Sequence, residues 1–177
     1  AIGPNAIALA CDVSSWANVE SVVAEVTKAF GQVDVLCNVA GIGGFDNSHD
    51  GDPAKFERMI AVNLTGTYFM CRAVLPQMVE RGHGAIINTS STAAVMGQPW
   101  SAAYCASKAG LLGLTRCIAL EGAPHGVSCV MISPTWVETE MMRRNVEQVV
   151  ARDGKGRTLE DAMAEIAAQN PQQRIIQ

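Results

Sequence analysis

The stretch "GAIINTSSTAAVMGQPWSAAYCASKAGLLGLTRCIALEGAPHGVSCVMISP", residues 84–134, decides the fold. It opens on "GAIINTS" (84–90), an apolar run of strand length bounded by glycine and serine. "SAAYCASKAGLLGLTRCIALEG" (101–122) reads as a helix, and "GVSCVMIS" (126–133) as a strand that Pro134 ends. A strand, a helix and a strand in this order imply a parallel pair joined by a crossover.

The same alternation extends outward. "NAIALAC" (5–11) is expected as a strand buried on both faces. "DVSS" then caps a helix whose apolar stripe is Trp16, Val19, Val22, Val23, Val26 and Phe30, and Gly31 stops it. "VDVLCNV" (33–39) is a further strand, running into a turn at Gly41, Gly43 and Gly44. Residues 51–82 open on Asp52 as N-cap and Pro53 at the first helical position, and read as one long helix. Asn63 and Gly66 are its weak points. The tail from Thr139 is more charged and carries helical segments near 139–151 and 158–168.

This pattern predicts an α/β protein with a Rossmann-like doubly wound parallel sheet, helices on both faces, and one domain across 1–177. Ligands of such sheets sit beyond the carboxyl ends of the strands. Here those ends are Asp12, Asn38–Gly41, Ser90–Ser91 and Pro134.

Composition narrows the function. A net charge of −4 with scattered basic residues offers no field for nucleic acid. No apolar run approaches the ~20 residues of a membrane span. No basic leader opens the chain. The six cysteines form no C-x-x-C, which suits reduced thiols and a cytoplasmic setting. His49, His83 and His125 are isolated and loop-like, so no metal site is expected.

The candidate chemistry lies in "YCASK" (104–108). Residues four apart on a helix share a face, with Cβ atoms about 5–6 Å apart. A free phenol ionises near pH ~10, and a neighbouring ammonium lowers that value. Tyr104 and Lys108 are therefore a candidate acid–base pair, the lysine tuning the tyrosine. Ser91, 13 residues earlier at a strand end, is placed to donate to a substrate oxygen. Asn63, unfavourable inside a helix, is crowded by Ala61, Val62 and Leu64.

With these residues in register the sequence resembles the short-chain dehydrogenases/reductases. The motifs are "CDV" (11–13), "NVAG" (38–41), "VNLTG" (62–66), "INTSS" (87–91), "YCASK" (104–108) and "SPTWVET" (133–139), covering nearly all of 1–140. The resemblance implies NAD or NADP as cofactor and Asn63, Ser91, Tyr104 and Lys108 as the catalytic set. Asn63 would open its helix and bind a water in a relay to Lys108, which would also bond the nicotinamide ribose. Asp12 and Val13 would contact the adenine, and Asn38, Ala40 and Gly41 the riboses. Pro134, Val137 and Thr139 would flank the nicotinamide.

Departures from the pattern shape further expectations. The glycine-rich phosphate turn should precede Asp12, and "GIGGFD" (41–46) does not replace it, having Asp46 at the last glycine position and no helix opening there. The residue separating NAD from NADP belongs to a strand preceding this sequence, so the preference stays open. The chain is thus expected to be an internal portion of a longer enzyme, without the amino-terminal glycine-rich strand–turn–helix and the carboxyl-terminal helix–strand. Thr135, where the family usually has glycine, would crowd the nicotinamide.

Trp100, Trp136 and Met141, with Met96 and Met142, fall in segments that border the family's substrate cleft. An apolar ketone, a secondary alcohol or a 3-oxoacyl compound is the expected substrate. Helices 53–80 and 101–120 are apolar on most faces, and in the family they form the interface of a homodimer or homotetramer. Two other readings stay open: an extended-type sugar-nucleotide epimerase or dehydratase, and a catalytically silent binding module.

Overall fold

A computed structural model describes residues 5–154, 156–170 and 172–176. Three parallel strands form its sheet: β1 (Val35–Asn38), β2 (Gly84–Thr89) and β3 (Val127–Ile132), in the order β1-β2-β3. Helix α1 (Trp16–Phe30) starts at Ser15, whose side chain accepts from Asn18 N, and ends at Gly31 with φ 85°. That positive φ is what a helix stop by glycine requires.

The long helix over 53–81 is observed, but in three parts. α2 (Pro53–Ile60) leads into a π-turn over Ala61–Thr65, and α3 (Gly66–Arg81) continues from it. The wide turn contains Asn63 and ends at Gly66, the two expected weak points. Such π-bulges mark places where the helix ladder gives way to another hydrogen-bonding demand. α4 (Ala102–Gly122) crosses from β2 to β3, and α5 (Glu140–Asp153) and α6 (Leu159–Gln169) pack on each other through Met142, Val146 and Ala162.

The main core lies on one face of the sheet. Leu36, Ile86 and Cys129, in register across the strands, meet Val19 and Val23 of α1, Cys71, Val74 and Met78 of α3, and Ile118 of α4. The alternate residues Val35, Cys37, Val130 and Ile132 point to the other face and are exposed. Among the described residues no helix covers that second face. The doubly wound class is thus seen through one of its two helix layers.

One expected strand is absent. Residues 5–10 are exposed and form no ladder with the sheet, with Ile7 47% and Leu9 37% accessible. Apolar character alone does not make a strand, because the backbone groups need a paired neighbour. No described helix is long and apolar enough to cross a membrane.

Candidate active site

The strand ends and the start of α4 enclose a cleft of about 240 Å³. Gly41, Ser91, Tyr104, Lys108, Pro134, Trp136, Val137, Thr139 and Met141 all line it. The expected convergence on one sheet edge is therefore observed for most of the named residues.

Two hydrogen bonds fasten α4 to the end of β2. Lys108 is 5% exposed and its Nζ donates to Thr89 O at 2.8 Å. Ser90 Oγ donates to Lys108 O at 2.9 Å from the opposite side of the chain. The sheet end is held as well: Ser90 N donates to Ile132 O at 2.8 Å, and Thr92 N to Pro134 O at 3.1 Å. These bonds fix where Lys108 and the start of α4 stand against the end of β2.

Ser91 caps the short 3₁₀ turn Thr92–Ala94, its Oγ accepting from Ala93 N at 3.2 Å. A hydrogen bond links Ser91 to the Tyr104 phenol. The ammonium of Lys108 lies 5.7 Å from the centroid of the Tyr104 ring. Burial raises the Tyr104 pKa above the ordinary phenol value, more than the Ser91 bond lowers it. Burial lowers the Lys108 pKa. The expected lowering of the phenol by lysine is not seen: burial is the largest influence on Tyr104 and it raises the pKa.

Asn63 is fully buried, and its amide is committed. Its Oδ1 accepts from Ile42 N at 2.8 Å, while Nδ2 donates to Ile42 O at 2.9 Å and Ser107 Oγ at 3.1 Å. Ser107 Oγ donates in turn to Tyr104 O at 2.8 Å. With both N–H bonds spent on protein, the side chain ties the 41–46 loop to α4 and has none left to donate to a relay water. A methyl group on Gly41 would meet Asn63 Oδ1 at 3.3 Å and Lys108 Nζ at 3.7 Å. The missing side chain keeps that space open beside the ammonium.

Other expected site residues lie outside this cleft or make bonds of their own. Asn38 turns inward, donating to Asn88 Oδ1 at 2.9 Å and Cys71 Sγ at 3.4 Å, so only its backbone faces the strand end. Ala40 is exposed but is not part of the cleft wall. Asp12 accepts from Ser14 N and Oγ and pairs with Arg58 at 3.7 Å, outside the cleft. Ser14 holds its carboxyl below the usual carboxylate range. Val13 packs where a side chain on Gly66 would stand. Trp100, at φ 61°, lines a neighbouring cavity of about 800 Å³, and Met96 is exposed. Met142 reaches the cleft but belongs mainly to the α5–α6 core. Thr135 lines the cleft without positive φ, which among the described non-glycine residues only Trp100 and Gln173 adopt, so backbone strain is not the cost of losing glycine there.

Ser90, named as a strand end, lines the cleft as expected, whereas Gln98, Asn145 and Asn88 had no signal in the sequence. Gln98 and Asn145 line the cleft, while Asn88 is buried and donates to Thr115 Oγ1 at 3.0 Å.

Comparison with known proteins agrees with this geometry. A D-threitol dehydrogenase of Mycolicibacterium smegmatis is 39% identical over 132 residues, 75% of this chain and 51% of its own length. An acetoacetyl-CoA reductase of Allochromatium vinosum is 42% identical over 130 residues, 73% of this chain and 53% of its own. NAD⁺-bound xylitol dehydrogenase superposes with a TM-score of 0.87 at 33% identity, covering 95% of this chain and 66% of that one. The F189W actinorhodin polyketide ketoreductase with NADPH gives 0.89 at 35%, covering 94% and 64%. The chain spans about half the length of these curated relatives. The sequence profile described as short chain dehydrogenase matches residues 1–150, and this chain belongs to that family.

Proposed function

We propose that the protein is a nicotinamide-linked oxidoreductase interconverting a secondary alcohol and its ketone, with Tyr104 exchanging the proton. The observation that carries this reading is the meeting of Ser91, Tyr104 and Lys108 on one cleft, the phenol half-buried and protonated. The relatives' names support it, since they act on alcohols or ketones, and solved neighbours carry NAD⁺ or NADPH. The open space at Gly41 beside the Lys108 ammonium fits the ribose end of such a cofactor.

A bound nicotinamide cofactor would supply the hydride to the carbonyl carbon as NAD(P)H, or take it from the alcohol as NAD(P)⁺. Lys108 spends one N–H on Thr89 O and keeps two for ribose hydroxyls. The backbone from Asn38 to Gly41, with Pro134, Val137 and Thr139, would border ribose and nicotinamide; Asp12 and Val13 would reach the adenine. Ser91 Oγ accepts from Ala93 N, and its O–H, directed at the Tyr104 phenol, would turn to the substrate oxygen once one binds. Tyr104 gives its proton to that same oxygen as the carbon becomes tetrahedral, and in reverse the phenolate takes it back.

The self-association reading rests on Phe56, Tyr68 and Leu120, which stand exposed on α2, α3 and α4 at 45%, 47% and 77%. A second copy of the chain is the proposed partner, and six free thiols suit a cytoplasmic setting.

Tyr104→Phe tests the function. A general acid contributes about 10²–10⁴-fold, so turnover should fall by that factor while nicotinamide binding persists. Undiminished turnover in the variant would remove Tyr104 from the mechanism.

A further inference from the structure

Two side-chain amides face the cleft with nothing in the protein to bind. Gln98, in the loop before α4, and Asn145, on α5, both line it half-buried. Among the described residues neither amide has a hydrogen-bond partner, in contrast to Asn38, Asn63 and Asn88, whose amides are all bonded. Asn145 is held close: a methyl group on Gly43 would meet its Nδ2 at 2.9 Å and Met141 Sδ at 3.1 Å. α5 thus presents Asn145 against the 41–46 loop, on the wall shared with Tyr104.

We infer that Gln98 and Asn145 form a second polar anchor that selects an uncharged substrate with another oxygen beside the reacting carbon, a vicinal diol or hydroxy-ketone. The inference rests on the hydride-transfer reading and names its substrate class. An amide both donates and accepts, which matches a hydroxyl, and its N–H matches a carbonyl. A carboxylate or phosphate finds no such partner, because Lys108 is the one charged side chain on the cleft wall among the described residues, and in the proposed function the N–H groups it does not spend on Thr89 O serve the ribose. A cleft of about 240 Å³ that must also admit the nicotinamide limits the substrate to a few carbons. A substrate with no polar group beyond the reacting one would leave both amides facing it unpaired, which costs affinity. Both amides are only half-buried and partly hydrated, so the discrimination is moderate.

The test compares butane-2,3-diol with butan-2-ol, by NAD(P)⁺-linked turnover and by saturation-transfer NMR for binding. The wild-type kcat/KM ratio of diol to monoalcohol should be about tenfold or more, the worth of roughly one good hydrogen bond. It should fall toward one in Gln98→Met and Asn145→Leu, through KM more than kcat. Neither replacement strips a protein group of its partner, so both variants are expected to fold. A ratio near one in the wild type, or one that both variants leave intact, overturns the inference. A diol preference in binding that the variants abolish, with no turnover of either alcohol, upholds the anchor and sinks the hydride-transfer reading. No preference in either readout overturns the anchor.

Discussion

The ammonium of Lys108 donates a 2.8 Å hydrogen bond to the carbonyl oxygen of Thr89, the last residue of β2. The lysine is thereby a strut between helix and sheet as well as a charge. Its charge stands 5.7 Å from the Tyr104 ring centroid, and burial, the largest influence on the phenol, raises its pKa. A tyrosine whose pKa lies above the ordinary value near 10 keeps its proton throughout the neutral range. It is a ready donor and a scarce base.

The pH profile should reflect this asymmetry. In the reduction direction kcat/KM should stay level between about pH 6 and 9 and decline only above about 10, where the donor ionises. In the oxidation direction it should climb through the same range, because the phenolate is the active form. Steady-state rates at saturating cofactor measure both limbs. A reductive decline centred near pH 7 would show that the phenol is lowered, as spacing alone suggests, and would reverse the order of burial and charge.

Much of this was legible from residues, because it follows from periodicity and from motif order. The alternation that gave β1, β2, β3 and their crossovers is a hydrophobic pattern, and a pattern is what sequence carries. The four-residue spacing of Tyr104 and Lys108 likewise placed both on one face of α4. The balance between desolvation and charge at Tyr104 was not legible, since it depends on how deeply neighbours bury the ring. Asn38 was expected at the ribose, yet strand register sets it directly beside Asn88. That pairing is a tertiary fact, with no trace in local spacing. Residues 5–11 failed for a related reason: a strand exists only with a partner to bond. Gln98 and Asn145 lie in an irregular loop and a charged tail, where no periodicity singles them out.

The π-turn at Asn63 carries a stability prediction. Asn63→Ala deletes three hydrogen bonds and leaves the N–H and C=O of Ile42 without that partner. An unsatisfied buried group costs about 1–3 kcal/mol, so a total loss of about 2–4 kcal/mol is expected. Hydrogen exchange at the Ile42 amide should accelerate more than that at β2, because the 41–46 loop is released first. Asn63→Asp restores an acceptor for Ile42 N but sets a carboxylate against Ile42 O, and should rescue little. An Ile42 amide as protected in Asn63→Ala as in wild type would deny the amide its role as a loop tie.

The buried thiol of Cys71 predicts the alkaline limit of stability. It is 1% exposed between Asn38 and Asn88, and burial pushes its pKa up to about 12 from the ordinary 9. Above pH 9 the unfolded chain therefore loses this proton while the folded one keeps it. Fewer protons bound in the unfolded state means that stability falls as pH rises, from about 9 until the folded thiol ionises near 12. Within that window one thiol contributes a slope of about 1.4 kcal/mol per pH unit. Cys71→Ala removes the titrating group and trades it for a small cavity, a fixed cost of about 1 kcal/mol at every pH. Urea melts between pH 8 and 11 should show the variant less stable than wild type at pH 8. The gap should close near pH 10 and reverse above it, because wild type alone carries the thiol's share of the alkaline slope. Parallel decline of the two proteins across the whole range would mean that the Cys71 thiol ionises in the fold as easily as in water.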